Sequence, residues 1–363
     1  FSFHSFAALA FLGWFFMGGL SWQESLIIAI TVLIVTCPCA LALAVPVVQV
    51  LATGRLMKKN ILVKSGDALE RLAGIDTVFF DKTGTLTRGY PELQSGYQAQ
   101  ALPLTASLAS YSNHLLSKAF GRAYRGNILP LEDVQEISGK GLQALYRGKK
   151  IYLGSREWCG DKTSVTSDLN EVWLRVEGEQ PCVFYFNDQL RADAKDTINH
   201  FKKAGLNLVM LSGDRGIVAQ KIAQECGLEE VHADKSPVEK FNIIEQYKAR
   251  GHKVLMVGDG LNDAPSLQGA DVSMAPGTAI DMAQNAADVV FMGDELAPSF
   301  EAYQTARFTQ KLVRHNFILA ILYNLIAIPL AFCGMVTPLL AAIAMSGSSL
   351  IVIANSFRLR LKS

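Results

Sequence analysis

The stretch Asp81-Lys82-Thr83-Gly84-Thr85-Leu86-Thr87 decides the fold, because it follows the apolar run Val78-Phe79-Phe80. Such a run is typical of a buried strand, and the turn-forming residues after it place Asp81 at the strand's carboxyl end. Open α/β sheets carry their chemistry at that edge. A carboxylate there can attack a phosphoryl group and form an aspartyl-phosphate. The structural alternative is an aspartate that only caps the turn.

Composition separates membrane segments from a soluble region. The 363 residues carry a formal net charge of +1, which excludes the strongly basic face of a nucleic-acid binder. No Asp, Glu, Lys or Arg occurs between Glu24 and Arg55, or between Arg314 and Arg358. A membrane-spanning helix needs about 20 apolar residues, and both gaps are longer. Four spans are predicted: 1–19, 25–50, 316–334 and 337–357.

Basic residues lie at one end of these spans and predict the orientation. They follow the second and fourth spans and precede the third, which places the central region in the cytoplasm of a multi-pass protein of the plasma or inner membrane. The chain opens on Phe1 without a basic region or a cleavage site, so it does not resemble a signal peptide and is interpreted as a fragment. The basic residues are Arg55, Lys58, Lys59, Arg307, Lys311, Arg314, Arg358, Arg360 and Lys362.

The central region, about residues 60–310, alternates short apolar runs with helix-period stretches, which predicts a doubly wound parallel α/β sheet. Residues from about 90 to 185 break this alternation and include the hairpin-like segment 145–152, so we expect an inserted domain there. The predicted strands are 183–186, 206–211, 253–257 and 288–291, and the predicted helices are 196–204, 218–226 and 239–247.

Two further strand ends are expected to meet Asp81. The run ending at Leu211 continues into Ser212-Gly213-Asp214, and the run ending at Val257 continues into Gly258-Asp259-Gly260-Leu261-Asn262-Asp263. Ser212 with nearby backbone N–H groups can hold phosphoryl oxygens. Asp81 and Asp259 can hold Mg²⁺, which prefers carboxylates with phosphate and water.

Three other residues complete this hypothesis. Lys240 can neutralise charge on the transferring phosphoryl group. Asn262 and Asp263 can orient that group or the water molecules of the metal. Taken singly, a Ser-Gly-Asp turn or a lone lysine is ordinary surface structure, but three such strand ends in one α/β region favour phosphoryl transfer.

Thr83 refines the predicted chemistry. Hydrolases with a nucleophilic aspartate commonly carry a second Asp two residues later as general acid and base. Thr83 stands at that position and is not an efficient base near neutral pH. We therefore expect a covalent phosphate that persists, which suits coupling to conformational change better than simple phosphatase action.

These motifs together resemble the P-type ATPases, and Cys37-Pro38-Cys39 resembles the heavy-metal-transporting branch. The resemblance implies a HAD-like phosphorylation domain with an inserted α+β nucleotide-binding domain, ATP and Mg²⁺ as cofactors, and Thr83 beside Asp81 and Asp259 at the metal. The implied segments are membrane helices at 1–59 and 306–363, phosphorylation domain at 60–90 and 187–305, and nucleotide domain at 91–186. The implied catalytic residues are Asp81, Lys82, Thr83, Ser212, Gly213, Asp214, Lys240, Asn262 and Asp263.

The Cys37-Pro38-Cys39 segment has its own chemical meaning. Residues two apart on a regular helix point to nearly opposite faces, and Pro38 removes a backbone hydrogen bond and kinks or unwinds the turn. Both sulfurs can then face one path. Thiolates within a span suit Cu⁺ or Zn²⁺. The alternative is that both cysteines pack as small apolar residues.

The last two spans favour copper. Tyr323-Asn324 and Met345-Ser346-Gly347-Ser348-Ser349 resemble the copper-pump pattern, which implies Cys37, Cys39, Tyr323, Asn324, Met345 and Ser349 as ligands of the transported ion. The spans lack the intramembrane Lys or Asp expected of zinc or cadmium pumps, and a buried charge in the bilayer is costly. The resemblance therefore implies transport of Cu⁺ or Ag⁺ out of the cytoplasm, with delivery by a copper chaperone.

The nucleotide-binding segment departs from the family pattern. The chain has no phosphate-binding loop of the Gly-x-x-x-x-Gly-Lys type. The family uses a His-Pro pair and a Gly-x-Gly turn, which makes His114, Gly139 and Gly141 the candidate nucleotide contacts. Leu115 replaces the proline, and Ala109 replaces the family's glutamate.

The family's actuator loop, Thr-Gly-Glu, is not found in residues 1–363. We therefore expect the missing actuator domain and upstream helices to be partners of this chain, which alone would accept phosphate at Asp81 and release it slowly. The alternatives are a membrane-tethered HAD-type phosphatase, a Zn²⁺- or Cd²⁺-transporting P-type ATPase, and a non-enzymatic membrane metal-binding protein.

Overall fold

The computed structural model describes residues 2–160, 167–259, 263–277, 279 and 281–361. Numbered along the chain, its helices are α1 (Ser2–Leu12), α2 (Trp22–Val35), α3 (Cys39–Leu43), α4 (Pro46–Lys58), α5 (Ala68–Ala73), α6 (Leu102–Ala109), α7 (Leu115–Ala123), α8 (Ala194–Lys203), α9 (Gly216–Cys226), α10 (Pro237–Ala249), α11 (Ala264–Gly269), α12 (Asp281–Ala286), α13 (Ala297–Phe332), α14 (Pro338–Ser356) and α15 (Arg358–Leu361). Its strands are β1 (Ile61–Val63), β2 (Thr77–Asp81), β3 (Glu92–Leu93), β4 (Glu132–Ile137), β5 (Gly141–Tyr146), β6 (Lys149–Gly154), β7 (Asn170–Val176), β8 (Cys182–Asn187), β9 (Asn207–Leu211), β10 (Glu230–His232), β11 (Val254–Val257), β12 (Val272–Pro276) and β13 (Val289–Phe291).

The chain forms two compact units. One consists of Phe1–Gly74 and Glu301–Ser363, and the other of Ile75–Phe300. In the first unit, the segments Trp22–Lys58 and Pro338–Ser356 are long and apolar enough to cross a membrane, as is α13, and His4–Met17 is a shorter apolar helix.

The segment expected to be one span at 25–50 is broken twice. Helix α2 ends at Val35 and α3 begins at Cys39, so the backbone leaves the helix at the Cys-Pro-Cys segment. A second break lies at Ala44 and Val45, before Pro46 begins α4. Both breaks lie at prolines, which cannot donate the backbone hydrogen bond of a continuous helix.

The second unit contains the expected parallel sheet. Six of its strands lie in the order β13-β12-β11-β2-β9-β10, and each neighbouring pair is parallel. All residues of β2 and β11 are buried, as continuous apolar runs in parallel sheets require. Because β2 lies between β9 and β11, their carboxyl ends are adjacent.

A second, antiparallel sheet contains the strands in the order β3-β8-β7-β6-β5-β4. The expectation that 183–186 belongs to the parallel sheet is wrong, because β8 pairs antiparallel with β7 and with β3. The segment 145–152 is the predicted hairpin, formed by β5 and β6. Phe120 of α7 packs at 5.0 Å between ring centroids against both Phe184 and Phe186, which covers one face of this sheet.

Candidate active site and membrane site

Asp81 ends the central strand β2 and is buried, with 5% of its surface exposed. Ser212 follows the neighbouring strand β9, and Asp259 follows the strand β11 on the other side. The structure therefore brings the three predicted strand ends to one edge of the sheet. Asn262, which we predicted to be catalytic, lies outside the described residues.

Lys240 connects two of the predicted acidic residues. Its Nζ lies 2.5 Å from Asp81 Oδ1 and 2.8 Å from Asp263 Oδ1, and all three side chains are buried. Helix α10, which carries Lys240, begins with a capping box in which Ser236 and Glu239 satisfy each other's backbone N–H groups. The cap fixes the first turn of the helix and so holds Lys240 in place.

Three carboxylates form a candidate cation site. Oxygen atoms of Asp81, Asp259 and Asp263 lie within 4.8 Å of one another. Asp263 was predicted to orient the phosphoryl group, and its place among these oxygens also makes it a possible metal ligand. Thr83 was predicted beside the metal, and its backbone is extended next to Asp81.

The charges in this cluster indicate what it can hold. Burial and the Asp263 carboxylate raise the pKa of Asp81 well above its ordinary value, against the influence of Lys240. Burial and Asp263 raise the pKa of Asp259 to about 7, against the Arg191 guanidinium. These three carboxylates, of which Asp81 and Asp263 are buried and Asp259 is partly buried, carry more negative charge than Lys240 neutralises. The donor set therefore fits Mg²⁺, which takes carboxylate oxygens.

Lys82 pairs with an aspartate outside the carboxylate cluster and fixes the neighbouring loop. Its Nζ pairs with Asp214 Oδ2 at 2.5 Å, and only 2% of its side chain is exposed. Ser212 Oγ donates to the same Asp214 oxygen at 3.2 Å, and the Asp214 backbone N–H donates back to Ser212 Oγ at 3.0 Å. Lys82 thus holds the loop Ser212-Gly213-Asp214, where the Ser212 hydroxyl can contact a phosphoryl oxygen.

Gly84 allows the chain to pass directly beside Asp259. Its φ is +70°, and a Cβ built there would lie only 1.4 Å from Asp259 Oδ2. Arg191 Nη2 donates to the Gly84 carbonyl at 2.6 Å. Asp188 accepts from the Thr87 hydroxyl at 2.5 Å and from the Gly89 N–H at 3.1 Å.

Asp188 and Arg191 were missed in the sequence. They follow β8 and hold the loop after Asp81, although they lie about a hundred positions away in the chain. The available signal was an acidic residue and an arginine directly after an apolar run. Burial raises the pKa of Asp188.

The predicted nucleotide contacts belong to the second sheet and its helices. His114 is exposed, and its Nδ1 accepts from the Leu116 N–H at 3.3 Å, which caps α7. Gly139 and Gly141 both have positive φ, at +75° and +142°. A Cβ on Gly141 would lie 2.1 Å from the Leu153 carbonyl oxygen, so this turn requires glycine.

The membrane unit gathers most of the predicted soft-metal residues. The structure joins Cys37 and Cys39 as a disulfide across Pro38, with their Cα atoms 5.5 Å apart, and Cys39 Sγ lies 4.0 Å from Met345 Sδ. A cavity is lined by Cys37, Pro38, Ala40, Leu41, Ala320, Tyr323, Asn324, Met345 and Ser348.

Four buried side-chain polar atoms of this unit have no hydrogen-bond partner among the described residues: Ser25 Oγ, Thr309 Oγ1, Tyr323 Oη and Asn324 Oδ1. The last two belong to residues that line the cavity. Such groups are costly unless a ligand or water satisfies them. Ser348 lines the cavity, whereas the hydroxyl of Ser349, the predicted ligand, donates to the Met345 carbonyl at 3.2 Å.

Comparison with protein families identifies the soluble part. Residues 75–271, more than half of the chain, match the family described as haloacid dehalogenase-like hydrolase. This is the region that contains β2, β9, β11 and the carboxylate cluster.

Two similar relatives match nearly the whole chain. The "Nitrogen fixation protein FixI" of Rhizobium leguminosarum bv. viciae is 45% identical over 98% of this chain and 47% of its own length. A "Copper-exporting P-type ATPase" of Mycobacterium tuberculosis is 36% identical over 98% of this chain and 48% of its own. The chain thus spans about half the length of the curated relatives it matches.

Solved structures of heavy-metal ATPases also resemble this chain. A zinc-transporting PIB-type ATPase in the E2.Pi state superposes with a TM-score of 0.79 at 28% identity, covering 99% of this chain and 62% of that one. The catalytic CPx-ATPase domain CopB-B has a TM-score of 0.58 at 30% identity, covering 71% and 98%. The chain therefore belongs to the haloacid dehalogenase-like hydrolases, and its resemblance to the heavy-metal P-type ATPases, which are multi-pass membrane proteins, is confirmed.

Proposed function

We propose that this chain carries the phosphorylation site and the metal-binding helices of an ATP-driven pump that moves Cu⁺ out of the cytoplasm. The observation that carries the proposal is the bridge from Lys240 to Asp81 and Asp263 beside Asp259. A buried strand-end carboxylate held by a lysine is poised to accept a phosphoryl group.

In the proposed reaction, Asp81 is the nucleophile. A bond forms between a carboxylate oxygen of Asp81 and the γ-phosphorus of ATP, and the bond from that phosphorus to the β,γ-bridging oxygen breaks to release ADP. The Lys240 ammonium opposes the burial and the Asp263 charge that raise the pKa of Asp81, and so favours its ionised form. It then balances negative charge on the phosphoryl oxygens. Ser212, held by Asp214, contacts one of those oxygens.

Mg²⁺ would be held by Asp81, Asp259 and Asp263, and when bound it neutralises negative charge on the phosphates and on these carboxylates. Thr83, two residues after the nucleophile, does not supply an efficient base, so the aspartyl-phosphate persists. This persistence supports a pump over the tethered phosphatase.

The choice of Cu⁺ depends on the donor set of the membrane unit. Cysteine and methionine sulfurs are soft ligands that suit a monovalent soft ion. Cys39 Sγ and Met345 Sδ are 4.0 Å apart, and Met345 lines the cavity together with Cys37, Tyr323 and Asn324. The uncharged segments 25–54 and 315–357 also favour a singly charged ion.

A Zn²⁺ pump is the second candidate, because the similar solved structure is of a zinc-transporting ATPase. Against it stands the lack of an ionisable Asp, Glu or Lys between Glu24 and Arg55 or between Arg314 and Arg358. The thiolates alone suit Zn²⁺ as well as Cu⁺, so the metal dependence of phosphorylation must decide.

The proposal includes several partners. Membrane lipid covers the exposed apolar side chains of the spanning helices, such as Leu325 and Leu350. A copper chaperone delivers the ion. An actuator domain and further helices of the same pump complete the transport cycle and hydrolyse the phosphoenzyme.

The proposal is tested by labelling the detergent-solubilised chain with [γ-³²P]ATP and Mg²⁺, followed by acid quenching. We expect an acid-stable label that hydroxylamine releases, as an acyl-phosphate requires, and no label in Asp81→Asn. Asp196→Asn, which removes an exposed carboxylate on α8, serves as the matched control and should label normally. Undiminished labelling of Asp81→Asn would contradict the proposal.

A further inference from the structure

A buried polar network lies in the membrane unit, and none of its residues lines the cavity that Cys37, Tyr323, Asn324 and Met345 line. Asn316 of α13 donates from Nδ2 to the Ala44 carbonyl at 3.2 Å and to Ser356 Oγ at 3.0 Å. Asn355 Nδ2 donates to Asn316 Oδ1 at 2.8 Å. Asn316, Ala44 and Ser356 each have 0% of their surface exposed. We call these four residues the Asn316 network.

The network satisfies a backbone group that the helix break exposes. Ala44 lies between α3 and α4, directly before Val45 and Pro46, where the chain leaves regular helix. Within a bilayer, a backbone carbonyl without a partner costs several kcal/mol, so broken helices persist only where protein groups or water satisfy them. The Asn316 amide is such a group, supplied by another helix.

The same contact fixes the position of α3. This helix has only five residues, with Cys39 at its first position and Ala44 directly after its last. Ala40 and Ala44 pack against Ala320 of α13 and Val352 of α14. Alanines at these positions allow close approach but give little directional restraint, so the hydrogen bond from Asn316 supplies the restraint.

Helix spacing aligns the network with the predicted ligands. Tyr323 and Asn324 lie seven and eight residues after Asn316, about two turns further along the same face of α13. On α14, Ser356 lies eleven residues after Met345, about three turns along one face. The network therefore joins the three helices that present Cys39, Met345 and the Tyr323-Asn324 pair.

From these contacts we propose that Asn316 is a positioning residue for the soft-metal site. By holding the Ala44 end of α3 against α13 and α14, it sets the place of Cys39 at the other end. Its hydrogen-bond partners in the described part of the chain, Ala44, Ser356 and Asn355, are not candidate metal ligands. The inference rests on the proposed function, because it requires that Cys37 and Cys39 bind Cu⁺.

The test measures Cu⁺ affinity of the full chain in detergent, after reduction of the cysteines, by competition with bicinchoninate. Asn316→Leu keeps a side chain of similar size but removes the donor to Ala44. We expect the Cu⁺ dissociation constant to rise about tenfold or more, as for the loss of groups that orient metal ligands. X-ray absorption should show fewer or longer Cu–S contacts.

Ser356→Ala is the matched control. It removes a second partner of the same amide and leaves the bond from Asn316 to Ala44, so the Cu⁺ dissociation constant should stay within about twofold. ATP affinity and the circular dichroism spectrum of both variants should match the parent chain, which separates a positioning effect from misfolding. If Asn316→Leu does not fold, Asn316→Ala admits water to the Ala44 carbonyl and should shift the affinity in the same direction by less.

The outcomes separate the two proposals. If the parent chain does not bind Cu⁺, the proposed function itself is wrong. If the parent binds Cu⁺ and both Asn316 variants bind it equally well with unchanged Cu–S contacts, the positioning role is wrong. An equal loss in Ser356→Ala and Asn316→Leu would also overturn it, because the bond to Ala44 would then not be the deciding contact.

Discussion

The two candidate sites of this molecule differ in the charge of the side chains that form them. The soluble site brings three carboxylates, Asp81, Asp259 and Asp263, together beside one buried lysine, Lys240. The membrane site offers sulfur atoms and neutral oxygen atoms, with no Asp, Glu, Lys or Arg between Glu24 and Arg55 or between Arg314 and Arg358. Hard carboxylates suit Mg²⁺, and soft sulfurs suit a monovalent soft ion. The two donor sets therefore favour different cations.

The largest effect is expected where a buried charge loses its partner. Lys240→Met leaves Asp81 and Asp263 facing each other without a cation, which raises the pKa of Asp81 further and removes charge balance for the phosphoryl group. We expect the rate of phosphoenzyme formation to fall about a hundredfold or more, measured by rapid-quench labelling. The exposed Lys203→Met should retain the parent rate.

Lys240→Arg tests whether charge or geometry matters at this position. A guanidinium keeps the positive charge but is larger and planar, so it should recover only part of the rate. A rate in Lys240→Met equal to that of the parent would show that the bridge to Asp81 is not used in catalysis.

A smaller effect is expected from Gly84→Ala. The new Cβ would overlap Asp259 Oδ2, and the φ of +70° disfavours an L side chain. We expect phosphorylation to fall about tenfold, because Asp259 must move, and stability to fall by about 1 to 2 kcal/mol, measured by thermal unfolding.

Gly205→Ala isolates the conformational part of that effect. Gly205 has a similar φ of +81°, but no atom within 4 Å of its built Cβ. It should lose stability to a similar extent and keep the parent phosphorylation rate. Equal losses of rate in both variants would show that the contact with Asp259 is unimportant.

The sequence indicated which strand ends would meet at this candidate site, because its residues end neighbouring strands. Asp81, Ser212 and Asp259 lie at the carboxyl ends of apolar runs whose last three residues are buried, and parallel pairing brings such ends together. The contacts of Asp188 and Arg191 with the loop after Asp81 depend on the path of the chain after β8, which no local sequence pattern predicts. The strand 183–186 was assigned to the wrong sheet, although its buried and partly exposed residues alternate, which is typical of antiparallel pairing.

The membrane site was predicted in outline. Pro38 predicts the helix break between the two cysteines. The positions of Tyr323, Asn324 and Met345 place them on the last two apolar helices. The second break at Ala44 and its support by Asn316 could not be predicted, because a single asparagine in an apolar helix does not reveal its partner.

The smallest effect concerns a thiol that takes no part in metal binding. Burial raises the pKa of Cys226 to about 12, so the thiol stays protonated where exposed cysteines ionise. The pKa of the Cys226 thiol is higher in the folded chain than in the unfolded chain, where it is about 8.5. The stabilising contribution of this thiol is therefore fully present below pH 8.5 and is lost as the pH rises towards 12. Between pH 8 and 11, the free energy of unfolding should decrease less steeply with pH for Cys226→Ala than for the parent chain. Rapid alkylation of Cys226 by iodoacetamide at pH 8 in the folded chain would contradict this account.

The most direct test of the account is the metal dependence of Asp81 phosphorylation. The reduced chain is incubated with [γ-³²P]ATP and Mg²⁺ in the presence of Cu⁺, Ag⁺, Zn²⁺ or Cd²⁺, alongside the double variant Cys37→Ser, Cys39→Ser. We predict that Cu⁺ and Ag⁺ stimulate labelling of the parent chain and that the double variant loses this response. Stimulation by Zn²⁺ or Cd²⁺ alone, or a Cu⁺ response that persists without the two cysteines, would contradict the account.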